Sequence, residues 1–128
     1  MIAVLVAAAF LVQLPSDVSA NGWNYVGASG DGELLSFTLP FPARQNMLWI
    51  RWEFSAARLG PNGEWSARQL VEYDCQEGRL RTLQSEGFSA PNLTGRPVPN
   101  ALNPTWVYVA PGTFNEQHHK AVCAAPTG

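Results

Sequence analysis

The sequence predicts an α+β domain, a mostly antiparallel β-sheet of about six strands with one C-terminal helix tethered by a disulfide. Three observations predict it. Apolar and polar residues alternate along several short segments, the mark of half-buried strands. Eleven glycines and ten prolines punctuate the 128 residues between those segments. A single helical pattern near the C-terminal end opens on a capping box and closes on the second of two cysteines.

The chain begins with an unbroken apolar run from Ile2 to Val12. That is too short to span a bilayer as a helix but suits the core of a secretory leader. Pro15 and then Val18-Ser19-Ala20 supply the small residues of a cleavage site, so a leader is expected over residues 1–20 and a domain over residues 21–128. No Lys or Arg precedes the run, and the competing reading makes it the first strand or helix of the domain. Of the ten acidic residues only Asp17 falls in the leader, leaving nine against eight basic ones, a nearly neutral domain. Without a basic stripe, nucleic acid and anionic membrane surfaces are excluded as expected partners. Two cysteines in an exported chain with no other thiol predict a Cys75–Cys123 disulfide.

Strands follow in order. Trp23–Val26 is a short first strand, and the glycines of Gly27-Ala28-Ser29-Gly30-Asp31-Gly32 form a hairpin turn, because a strand follows them where a phosphate-binding loop needs a helix. Glu33–Leu39 is the second. Met47–Ser55 carries the clearest alternation, with Leu48, Ile50, Trp52 and Phe54 on one face and Met47, Trp49, Arg51 and Glu53 on the other. After the Gly60-Pro61-Asn62-Gly63 turn the pattern resumes over Ser66–Cys75, reverses at Gln76-Glu77-Gly78 and continues over Arg79–Leu83. Ser89–Pro104 breaks all periodicity and reads as the longest loop, either functional or a connector. Thr105–Val109 is a last strand. Thr113 and Glu116 cap a helix from Phe114 to about Val122, with Phe114, His118, Ala121 and Val122 on one face. Cys123 falls opposite that face, so the last turn is expected to unwind before the cysteine docks.

Chemistry is sparse. His118 and His119 point about 100° apart on a helix and do not share a metal, so no metal site and no cofactor is expected. His118 reads as a core-edge residue and His119 as solvated. No serine elbow or Ser/Lys motif occurs. Glu72 and Asp74 share a strand face, but Arg79 and Arg81 lie across the predicted hairpin, so ion pairing is favoured over acid–base catalysis. The chain is expected not to be an enzyme.

Leu70-Val71-Glu72-Tyr73-Asp74-Cys75 followed by Arg79-Leu80-Arg81 resembles the central hairpin of the bacterial surface-adhesin protein E family. Trp106, then Pro111-Gly112-Thr113 and a short helix closing on Cys123, extend the resemblance over Trp23 to Cys123. It implies an antiparallel sheet of about six strands with a disulfide-bound C-terminal helix, and a surface protein that binds host matrix proteins and can form a homodimer. The chain departs from that family in lacking a cysteine after the expected cleavage site, so no lipid anchor is expected, and in the histidines at 118 and 119.

The resulting expectation is an exported, non-enzymatic domain at the cell surface or in the periplasm. It holds a host extracellular-matrix or envelope protein with a sheet face bearing Trp49 and Arg51, or with the loop bearing Leu93 and Arg96. A periplasmic enzyme inhibitor or envelope-assembly factor is the rival reading. Trp49 is expected either under the helix, which must cover one side of the sheet and is the favoured reading, or in a partner interface, and Leu93 and Arg96 are expected to lie outside the core.

Overall fold

The computed structural model of the chain describes residues 22–41 and 46–123. The expected leader lies outside the described residues, among which no helix is long and apolar enough to cross a membrane. Seven strands form one antiparallel sheet: β1 (Asn24–Ala28), β2 (Leu35–Pro40), β3 (Met47–Glu53), β4 (Ser66–Asp74), β5 (Arg79–Ala90), β6 (Thr94–Val98) and β7 (Val107–Tyr108). Neighbours pair in sequence order from β1 to β6, while the two-residue β7 adds to the start of β5. Among the described residues one helix, α1 (Phe114–Cys123), follows. This is the expected six-strand meander and its helix.

Register gives each face its identity. Leu48 pairs with Val71, and Tyr73 with Leu80. With Ile50 these build one buried cluster, against which Trp52, Val109, Val122 and Cys123 pack. Helix α1 lies on this face: the Phe114 ring meets Trp52 edge-on at 5.5 Å, and His119 meets Tyr73 at 5.9 Å. The expectation that the helix covers the Trp49 face is therefore corrected. The Leu48–Ile50–Trp52 stripe offers the larger apolar area, and the helix buries that stripe.

The opposite face has a second, smaller core, in which Trp23 and Phe37 are flanked by Leu35, Leu39, Trp49 and Leu93. Both faces of the sheet centre are thus covered, which a pattern of alternating polar and apolar residues does not announce.

Two further expectations are corrected. Helix α1 runs unbroken through Cys123, which bonds Cys75 with the Cα atoms 5.5 Å apart. No unwinding is needed, because the helix touches the sheet over more than one face, with His119 and Cys123 in contact as well as Phe114, His118 and Val122. Its contact row steps from Phe114 to His118 to Val122 and drifts round to His119 and Cys123. The cap itself forms as read, with Thr113 Oγ1 accepting from the Glu116 N–H at 3.2 Å.

Ser89–Pro104 is not one loop. Strand β5 continues to Ala90, turns at 91–93 and returns as β6, leaving only 99–106 irregular. The sequence hides this for two reasons. A bulge places Leu70 opposite Gln84 and Val71 opposite Thr82, so Leu83 shifts the alternation by one. Pro97 then stands inside an edge strand, where its missing N–H costs no ladder bond. The turn places Asn92 and Leu93 at φ 65° and 59°. Leucine rarely adopts that conformation, so neighbouring bonds must hold it. They do: the Leu93 N–H donates to Ser66 Oγ at 2.9 Å and the Asn92 N–H to Glu53 Oε1 at 3.0 Å.

Candidate functional site

The outer face of β4, β5 and β7, turned away from the helix, brings together arginines, carboxylates and aromatic rings. Cross-strand register puts Glu72 beside Arg81 and Asp74 beside Arg79. Both pairs close, Arg81 Nη2 to Glu72 Oε1 at 2.7 Å and Arg79 Nε to Asp74 Oδ2 at 2.9 Å. The hydrogen bond from Arg79, followed by one from the Glu77 N–H, holds the Asp74 carboxyl below its usual range. Ion pairing across the hairpin is thus as read from the sequence. Strand β7 then lays Trp106 over this pair of arginines, with Arg81 Cζ at 4.5 Å and Arg79 Cζ at 4.9 Å from the ring centroid. Next to it Tyr108, paired with Arg79, is 70% exposed.

The same device recurs one strand away. Arg68 sits 5.2 Å over the half-buried Trp49 ring and bonds Glu86 at 2.8 Å. The surface therefore carries three guanidinium groups over two indoles, each guanidinium neutralised by a carboxylate. Such a face offers flat, rigid aromatic area and fixed donors with little net charge. That composition suits a protein partner better than a charged polymer.

Sequence reasoning found part of this. Trp49 belongs to the face, beside Arg68. Arg51 does not reach its surface: it is fully buried, stacked 5.7 Å from Trp23 and 5.6 Å from Phe37, with Nε 2.8 Å from Glu53 Oε2. As a contact residue Arg51 is corrected to a core residue, because the register pairs it with Phe37 under the folded-back turn. Leu93 is also corrected, from free loop residue to a part of the Trp23–Phe37 cluster. Arg96 stays exposed on β6, remote in register from β7. Trp106, Tyr108, Arg79 and Arg81 were missed as a contact surface, although an aromatic–apolar–aromatic run at 106–108 opposite an arginine–apolar–arginine run at 79–81 was a usable signal.

A groove of about 510 Å³ opens on the other face, beside α1. Trp52, Gln69 and Thr82 line its sheet side, Pro61 and Glu64 one wall and Asn100 the other. Just before that wall, a Cβ on Gly60 would overlap the buried Glu64 side chain and displace it.

His118 is wholly buried between Trp52 and Phe114, with Nε2 3.0 Å from Ser36 Oγ and no partner for Nδ1 among the described residues. Burial pushes its pKa down to about 4. The folded value lies below the unfolded one near 6.5, so the unfolded chain takes up the proton first. Stability is full above about pH 6.5 and falls as the pH drops towards about 4, by up to about 3 kcal/mol. Urea melts at stepped pH should show that loss in wild type and a clearly shallower profile between those limits for His118→Leu, in which carboxylates such as Asp74 still contribute at the acid end. A wild-type profile as shallow as that of the variant sinks the assignment. His119, expected to be solvated, is instead half-buried against Tyr73.

A family model described as Surface-adhesin protein E matches residues 42–124. No curated protein matches the sequence. Among solved structures, crystal form II of Haemophilus influenzae protein E is similar, with a TM-score of 0.58 at 10% identity, covering 89% of this chain and 92% of that one. The Se-Met form of Haemophilus influenzae protein E gives 0.56 at 11% identity, with 89% and 91% covered. At that identity the likeness concerns the fold.

Proposed function

Since the chain belongs to the surface-adhesin protein E family, we propose that it is an exported, non-enzymatic domain that captures a protein partner with the outer face of β4, β5 and β7. The carrying observation is the stack of Trp106 on Arg79 and Arg81 beside the exposed Tyr108. Trp, Tyr and Arg dominate binding hot spots because they bring large area with few rotors and stay useful when desolvated. Host extracellular-matrix proteins are the proposed partners, with cell-surface display after removal of residues 1–20. Envelope proteins are the second class, and periplasmic inhibition or assembly the rival role. Surface labelling of intact cells separates them, since adhesion requires display.

Binding of the domain to immobilised matrix and envelope proteins tests the face. Tyr108→Ala should weaken capture by at least about 30-fold, roughly 2 kcal/mol, with stability unchanged within about 0.5 kcal/mol. Arg96→Ala, on the β6 edge, should leave capture intact. The reverse pattern would move the contact to the β6 edge, and indifference to both would move it to the groove beside α1.

A further inference from the structure

We infer that Cys75, His119 and Cys123 form a second, redox-gated site: once the disulfide is reduced, the two thiolates and the imidazole bind a soft divalent cation such as Zn²⁺. The ligand atoms of these three side chains already lie within 4.8 Å of one another. His119 and Cys123 stand four residues apart on α1, so both project from one helix side, with His119 Nε2 3.5 Å from Cys123 Sγ. Ligands 2.3 Å (sulfur) and about 2.0–2.1 Å (nitrogen) from a tetrahedral zinc ion are themselves about 3.6 Å apart. The helix therefore presents its half of the donor set at coordinating separation. Cys75 supplies the third ligand from the turn after β4, its Cα 5.5 Å from that of Cys123. Rotation about the two Cα–Cβ bonds parts the sulfurs to the roughly 3.8 Å that such an ion requires.

Two further features suit the site to this use. Cys75 is exposed, so a reductant and then a metal ion can reach it. The His119 ring is fixed edge-on against Tyr73 at 5.9 Å, which limits its rotation before any ion arrives. Two sulfurs and one imidazole leave the fourth tetrahedral position open to water or another ligand.

The chemistry balances with a thiol or dithiol reductant. A reductant thiolate attacks one sulfur of the bridge, forming a mixed disulfide and releasing the other sulfur as thiolate. The second reductant thiol displaces the remaining protein sulfur, so two electrons and two protons pass to Cys75 and Cys123 and the reductant leaves as its disulfide. Zn²⁺ then replaces the two thiol protons, which go to solvent. The cation would hold α1 to the β4 end in place of the covalent bridge. This site is independent of the partner-binding face.

The test uses the purified chain reduced with dithiothreitol and desalted without oxygen. Co²⁺ should bind one to one, with the intense visible bands of a tetrahedral site and thiolate charge transfer, and Zn²⁺ should bleach them. The oxidised chain should give neither. His119→Gln should lower Zn²⁺ affinity beyond the roughly 10–100-fold typical of changes around a ligand shell, while its oxidised form still folds and melts cooperatively. X-ray absorption at the zinc edge of the reduced wild type gives an answer even if that variant does not fold. Two sulfurs near 2.3 Å and an imidazole nitrogen near 2.0 Å are expected. A reduced chain with no tetrahedral cobalt spectrum, a zinc shell lacking imidazole, or equal affinity in a folded His119→Gln overturns the proposal.

Discussion

Arg51→Ala is expected to cost about 3–5 kcal/mol. The native guanidinium is fully buried and lies over the Trp23 and Phe37 rings while its Nε bonds Glu53. Truncation leaves the Glu53 carboxylate, itself 5% exposed, in the interior without that guanidinium. It also opens a void beside two aromatic rings. Whole domains of this size are stable by only about 5–15 kcal/mol, so the variant should populate unfolded chain well below the wild-type urea midpoint. Lysine should not rescue it, because an ammonium neither stacks flat nor forks towards the carboxylate. A double replacement, Arg51→Met with Glu53→Leu, should recover part of the loss, since it removes the stranded buried charge but also the carboxylate that accepts the Asn92 N–H. An Arg51→Ala midpoint within about 0.5 kcal/mol of wild type would show that the pair contributes nothing.

Opening the Cys75–Cys123 bridge, by Cys75→Ser with Cys123→Ser or by reduction in the presence of a chelator, should cost about 4 kcal/mol. The bridge spans 48 residues, and that figure is the loop entropy it removes from the unfolded chain. Losses should concentrate in α1. Its apolar contacts are few, Phe114 on Trp52 and Val122 on the Leu48–Ile50–Tyr73 cluster, and a ten-residue helix is marginal by itself. Amide exchange should therefore quicken across Phe114–Cys123 well before it does in β3 and β4. Uniform acceleration over helix and sheet would mean that α1 docks without its tether.

Leu93→Ala is a smaller case with a different message. Leu93 packs on the Trp23–Phe37 cluster from a left-handed backbone conformation, so truncation should cost about 1–2 kcal/mol in a urea melt. Reading Ser89–Pro104 as a free loop predicts no cost. The outcome separates a structural turn from a mobile one.

Most of the fold was legible because it rests on local chemistry. Period-two alternation in Met47–Glu53 and Ser66–Asp74 marks strands whatever they pair with, Gly60–Gly63 and Gln76–Gly78 force reversals, and Thr113 with Glu116 starts a helix. The pairing of Glu72 with Arg81 and Asp74 with Arg79 followed from a short hairpin and was equally local. Two cysteines with no alternative partner leave one bridge. These features the sequence determined by itself. What it left to the tertiary structure depended on contacts between segments far apart in the chain. Which sheet face the helix takes was settled by the summed area of Leu48, Ile50, Val71, Tyr73 and Leu80, drawn from three strands. That Arg51 is buried follows from a turn 41 residues away, folding back so that Asn92 meets it. The bulge at Leu83 reversed the faces of half a strand, and no residue type announces a bulge. Trp106 reaches Arg79 and Arg81 only because β7 adds to β5, pairing Leu80 with Val107 and Arg79 with Tyr108 far along the chain, a pairing that depends on the edge left open by β6. Alternation assigns a residue to a face, but only packing decides what covers that face, and burial rather than alternation sets what each side chain can do.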